Sequence, residues 1–146
     1  MADPSSIRAL TPQEANAIKQ VIKAAESLTS AEIRVVVEHH LDGEPYQKAV
    51  EFFEKLGMTQ TQQRNGVLIY VARKSKKFAI IGDEGIHKHV GDEFWQAVAQ
   101  EMKTFFQKGQ FVEGIQAGVK RAGEVLSQYF PWKEGDVNEL SDEVIY

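Results

Sequence analysis

Between residues 12 and 28 apolar side chains recur at helical spacing: Ile18, Val21, Ile22 and Ala25 share one stripe, with Leu28 near its end. Thr11 before Pro12, with Glu14 three positions on, gives an N-cap, a first-turn proline and a capping-box partner. Thr29-Ser30 is the expected stop. The period then changes to two in Glu32-Ile33-Arg34-Val35-Val36-Val37-Glu38, a strand with Ile33, Val35 and Val37 on one face. After a loop from His39 to Pro45, Tyr46, Ala49, Val50, Phe53 and Leu56 return to helical spacing, which ends at Gly57.

The run from Arg64 to Val90 has another character. Val67 to Ala72 and Phe78 to Ile81 are continuous apolar segments joined by a basic turn, Arg73 to Lys77. Short, β-branched-rich runs bounded by glycine or charge predict strands buried on both faces, here as a hairpin. Two helices follow. One starts near Asp92, read as its N-cap, and buries Phe94, Trp95, Val98, Met102, Phe105 and Phe106. The other spans about Phe111 to Tyr129, with Phe111, Ile115, Val119, Ala122 and Leu126 on its stripe. Gly114 and Gly118 lie one turn apart, a spacing that lets another backbone approach closely, and Pro131 ends the helix. Val144-Ile145-Tyr146 is either an edge strand or a free end.

The element order α-β-α-β-β-α-α predicts helical layers on both faces of a small mixed sheet. A strand-helix-strand unit is a right-handed crossover, so strands 33–38 and 66–72 run parallel. Parallel strands begin at the same end, and the hairpin returns to that end. Glu32, Asn65, Asp83 and Glu84 therefore converge on one sheet edge, with Asp92 and Glu93 following. Oxygen donors gathered from separate chain positions suit a hard cation, and crowded carboxylates favour one because they repel each other. No EF-hand spacing is present.

Composition narrows the rest. The 146 residues form one ordinary domain with a hydrophobic fraction of 42%. The net charge of −4 argues against nucleic acid as a partner. The lysines of residues 74–77 read as a solvated turn. The chain has no cysteine, which excludes disulfides, thiolate metal sites and cysteine nucleophiles. Neither a membrane span nor a hydrophobic signal region is legible, so a cytoplasmic monomer is expected. His87-Lys88-His89 has the spacing of a zinc or copper pair but reads as exposed loop. His39-His40 belongs to the opposite sheet end. Arg34 and Arg64 read as surface arginines, and Trp132 as a core cap or a partner patch. No C-x5-R loop, D-x-D-x-[TV] strand, G-x-S-x-G or Walker loop appears. Phosphate-ester chemistry would fall to a bound metal, with Asp83 or Asp92 as general base.

Four segments, taken in order, resemble one family. Thr29-Ser30-Ala31-Glu32-Ile33 is similar to the opening segment of the TPM domain family, and Arg64-Asn65-Gly66-Val67-Leu68 to its NGVLL-type strand. Gly82 to Ile86 resembles its glycine-containing turn. Gly109-Gln110-Phe111, Gly114-Ile115 and Gly118-Val119 resemble its final helix. The tail from Asn138 to Glu143 is similar to that of small soluble members from Bacteroidetes-type bacteria. The resemblance implies a three-layer α/β/α sandwich over residues 10–131, between a short N-terminal tail (1–9) and an acidic C-terminal tail (132–146). Plant members are described as thylakoid-lumen acid phosphatases or photosystem II repair factors, an animal member is an accessory subunit of a receptor channel, and some members bind calcium. Many relatives carry an aromatic residue where Asp83 stands. By this resemblance the chain is expected to bind a divalent cation, calcium first, through Glu32, Asn65, Asp83, Glu84 and Asp92, and to act as a binding or regulatory module with a protein partner. The alternative is a low-turnover acid phosphatase for phosphate monoesters, with Asp83 and Asp92 catalytic.

Overall fold

A computed structural model describes residues 8–133, 135 and 141–146. The tail positions Asn138 to Leu140 lie outside the described residues. The elements are α1 (Pro12–Glu26), β1 (Glu32–Glu38), α2 (Pro45–Lys55), a 3-10 turn (Met58–Gln60), β2 (Gly66–Ala72), β3 (Lys77–Gly82), α3 (Glu84–His87), α4 (Asp92–Gln107) and α5 (Phe111–Tyr129). The architecture is α/β. A mixed three-stranded sheet has strand order β1-β2-β3, with β1 and β2 parallel and β2 and β3 antiparallel. Among the described residues no helix is long and apolar enough to cross a membrane.

The period-two pattern sorts the sheet's side chains into two cores. Ile33, Val35, Val37, Ile69 and Val71 pack with Ile18, Ile22, Val98, Met102, Ile115 and Val119, under α1, α4 and α5. Val36, Leu68, Tyr70 and Ala72 pack on the other face with Ala49 and Phe53 of α2. The central strand β2 is buried throughout, whereas every residue of β3 is only half-buried. The expectation that both apolar runs are covered alike thus holds for β2 alone. β3 lies at the end of the sheet and, among the described residues, has one side without a neighbouring strand.

Local signals explain most boundaries. Thr11 accepts from the Glu14 amide and Glu14 from the Thr11 amide, a complete capping box. α1 nevertheless ends at Glu26, three residues before Thr29, and Leu28 is 57% exposed. Thr29 instead turns toward the end of α5: its hydroxyl and the Ser30 amide both donate to the Phe130 carbonyl. Gly57 ends α2 with φ of +69°, a left-handed conformation that glycine adopts without a Cβ penalty. Tyr46 projects into solvent from α2 and is 62% exposed. Gly91, not Asp92, is the N-cap of α4, so Asp92 is its first helical residue. Within α4 only Val98 and Met102 are fully buried, the four aromatic residues being half-buried.

Gly114 and Gly118 face α4 as their spacing suggests, and it is chiefly side chains that fill the space. A Cβ on Gly114 would stand 2.5 Å from the Phe106 ring and 3.2 Å from the Met102 carbonyl oxygen. Gly114→Ala gains up to about 1 kcal/mol of helix propensity but overpacks a tight crossing at about 1–3 kcal/mol. Urea unfolding is expected to show a net loss of about 1 kcal/mol, with an unchanged m-value.

Candidate functional site

The sheet register places the predicted residues. Glu32 pairs with Gly66 across the parallel ladder, and Val67 with Gly82 across the hairpin. The Glu32 amide donates to the Asn65 carbonyl at 3.3 Å, and the Asp83 amide to the Gly66 carbonyl at 2.9 Å. Three chain segments thus meet at one sheet edge, as the topology requires.

Arg64 is the centre of that edge. Its Nε donates to Asp83 Oδ2 at 2.6 Å and its Nη2 to Asp83 Oδ1 at 2.8 Å, a two-point pairing. Nη1 reaches Glu84 Oε1 at 3.2 Å. The Arg64 side chain is 38% exposed and that of Asp83 only 5%. Hydrogen bonding to Asp83, set against desolvation, holds the guanidinium pKa above its ordinary value. The Arg64 backbone is left-handed, with φ of +51°, an uncommon setting for a non-glycine residue. Asp83 also caps the single turn of α3, where its Oδ1 accepts from the Glu84 amide at 2.8 Å. The sequence showed Asp83 and Glu84 arriving here. It held no sign that a neighbour of Asn65 would neutralise them.

Gly85 locks the two loops together. Its amide donates to the Arg64 carbonyl at 2.8 Å. A Cβ there would fall 2.1 Å from the Gln63 carbonyl oxygen and 2.6 Å from that of Arg64. Neither backbone atom can swing aside as a side chain would.

Asn65 is 1% exposed. Its Nδ2 donates to the Ser30 carbonyl at 3.2 Å, which fixes the amide's orientation. Its Oδ1 is buried and accepts no hydrogen bond among the described residues. Glu32 is buried and lies close enough to Glu26 to raise that group's pKa. Asp92 is exposed at the start of α4, and no hydrogen bond or ion pair joins it to Asp83 or Glu84. Among the described residues no three His, Asp or Glu side chains stand grouped as a ready metal cage. The predicted donors are all oxygens, the chemistry of calcium or magnesium rather than of zinc. His87 and His89 face different partners: His87 lies by Trp95, while His89 stacks on Tyr129. His40 is at the other sheet end, bonded to Asp42 and Ser75.

The sequence matches the TPM domain over residues 6–125. The chain belongs to the TPM domain family. Its fold is similar to the NMR structure of BA42 from the psychrophilic bacterium Bizionia argentinensis, with 39% identity and a TM-score of 0.88, covering 96% of this chain and 97% of that one. Two further NMR structures share the fold at lower identity. One is the N-terminal domain of the cg2496 protein from Corynebacterium glutamicum (12% identity, TM-score 0.64, 94% of this chain and 80% of that one). The other is an N-terminal domain from P. gingivalis (19% identity, TM-score 0.67, 84% of this chain and 79% of that one). No curated protein matches the sequence.

This TPM domain also holds a charged cluster that the sequence did not signal, because its members come from opposite ends of the chain. Glu26, at the end of α1, accepts from the Ile33 amide at 3.0 Å on the outer side of β1. Burial, then a hydrogen bond with Asp142 and repulsion from Asp142 and Glu32, pushes its carboxyl far above the usual range, to about 10. Arg34 is buried beside them, where desolvation lowers its pKa against the pull of Glu26 and Asp142. Its Nη2 reaches the Glu143 carbonyl at 3.4 Å.

These contacts set how the fold responds to substitution and to pH. Gly85→Ala is expected to lose about 2–3 kcal/mol by urea unfolding, because the added methyl meets backbone. The folded state keeps a proton on Glu26 that the unfolded chain releases above about pH 4.5. Stability from this group is therefore complete below that pH and falls as pH rises toward 10. Glu26→Gln, which imitates the protonated group, is expected to flatten the decline between pH 5 and 9.

Proposed function

We propose that this TPM domain is a cation-responsive binding module in which Asp83 and Glu84 exchange the Arg64 guanidinium for a divalent cation, calcium first. Arg64 already sets a partly exposed positive charge on two carboxylates, one of them buried, and that observation carries the reading. A site that holds a positive charge by geometry has the electrostatic character a cation requires, and a partly exposed side chain can be displaced into solvent. Asn65 Oδ1, buried and without a donor among the described residues, supplies a further oxygen at the same edge. Glu32, whose carboxyl lies beside Glu26, and Asp92, exposed on α4, would join the donor set only by turning toward this edge, and carbonyl groups of the adjoining loops are of the type that calcium uses. The cation would supply charge compensation. Arg64, once released, would present a free guanidinium to a partner's carboxylate or phosphate. The phosphatase reading, with Asp83 and Asp92 catalytic, draws on the family resemblance alone. Both Asp83 oxygens already accept hydrogen bonds.

Calcium titration followed by thermal melting tests the proposal. A ligand at about 100 times its Kd stabilises the native state by about 2.7 kcal/mol. The expected pattern is a calcium-dependent rise in Tm, lost in Asp83→Asn and reached at lower calcium in Arg64→Gln. No rise with calcium, magnesium, manganese or zinc would remove the site. Aryl-phosphate hydrolysis that survives both Asp83→Asn and Asp92→Asn would remove the enzymatic alternative.

A further inference from the structure

The two edges of the sheet are finished differently. On β1 the Ile33 amide donates to the Glu26 carboxyl. Further along, the Val37 amide donates to the Ile145 carbonyl at 2.8 Å and the Ile145 amide to the Val35 carbonyl at 3.1 Å. The chain's own end thus lies along that edge in parallel, covering it. Among the described residues nothing comparable lies along β3. The Asp83 amide bonds to β2, and bonding direction alternates along a strand. Lys77, Ala79 and Ile81 therefore face β2, while the N–H and C=O groups of Phe78 and Ile80 point outward. Beyond them a groove of about 660 Å³ separates β3 from α4, lined by Phe78, Ile80, Trp95, Ala99, Gln100 and Lys103 among others.

A strand edge facing a helix across a groove is the geometry in which an extended segment adds to a sheet. Backbone hydrogen bonds then supply affinity and side-chain pockets supply selectivity. Trp95 closes one end, its ring so near Gly82 that a Cβ there would stand 2.5 Å away. The indole Nε1 is buried without an acceptor among the described residues. Charge selects the occupant. Lys103 is exposed on the α4 wall, and Lys74 and Lys76 are exposed at the adjoining hairpin tip, in a chain whose net charge is −4. The third lysine of that tip, Lys77, is engaged by the carbonyls of Leu41 and Gly43.

We propose that the β3–α4 groove takes up an extended acidic segment of a partner protein as a fourth strand, antiparallel or parallel to β3. This surface is separate from the cation site, and its fate is independent of that site's. The test uses the full chain labelled with nitrogen-15 and an acetylated eight-residue peptide alternating valine with glutamate. Amide spectra and hydrogen exchange are recorded at pH 7 without added metal. The expected result is saturable shifts at Phe78 and Ile80, slowed exchange of their amides, and a perturbed Trp95 indole signal. Lys103→Glu should weaken binding about tenfold, and Ala99→Trp should block it by filling the groove. Both sites line the α4 side of the groove, and the amide spectrum of each variant shows whether it is folded. Lack of shifts up to millimolar peptide, shifts confined to β1, or equal affinity for an alternating valine–lysine peptide would overturn the proposal. So would the same shifts on raising protein concentration without peptide, because the occupant would then be a second copy.

Discussion

The pairing of β1 with β2 in one register governs this molecule. A buried central strand must satisfy its backbone on both sides, and β2 does so with a parallel neighbour on one side and an antiparallel one on the other. Moving that register by one residue would turn Val67, Ile69 and Val71 to the α2 face and Leu68 and Tyr70 to the other. That register brings Glu32 to Asn65, and the β2–β3 register brings Arg64 and Asn65 to Asp83. The candidate site is therefore a consequence of how the core is packed, and Gly85 against the Gln63 and Arg64 carbonyls fastens it to that core.

Charge around the sheet is matched locally. At one end a single guanidinium neutralises Asp83 and Glu84. At the outer side of β1, Glu26 keeps its proton because it is buried beside Asp142 and Glu32, and Arg34 lies among them. Lys19 and Glu143 pair nearby and tie the chain's end to α1. At the far end of the sheet the Tyr70 hydroxyl donates to Glu38 at 2.6 Å, and Arg73 pairs with Glu14 at 2.9 Å. Carboxylates at both ends of the sheet thus accept from a donor close by, and among the described residues the β3 edge is where polar backbone is left open.

The fold was legible where pattern and punctuation agreed. The capping box at Thr11, the alternation in β1 and the continuous run of β2 each named their element because one physical cause dominated. Boundaries were missed where tertiary contacts intervened. Thr29 reads as a helix stop, but Phe130, far along the chain, is what it bonds. α3 was unreadable because a single turn capped by Asp83 has no periodicity to show. At the site, topology brought the segments of Glu32, Asn65, Asp83 and Glu84 to one edge, while the Glu32 carboxyl lies beside Glu26 and Asp92 stays on the surface of α4. The role of Arg64 was hidden because a side chain's direction depends on its backbone, and a positive φ before Asn65-Gly66 leaves little trace in sequence. The Glu26–Asp142 contact was equally hidden, since it joins α1 to the chain's end.

The claim that Asp83 and Glu84 trade Arg64 for a divalent cation is tested most directly by paramagnetic manganese in an amide spectrum of the full chain. Substoichiometric manganese should broaden the signals of Arg64 to Gly66 and Asp83 to Gly85 first, and excess calcium should restore them. Broadening centred instead on Glu26 and Asp142, or on the histidines at 87 and 89, would contradict the account, as would broadening at the Arg64 edge that calcium leaves unchanged.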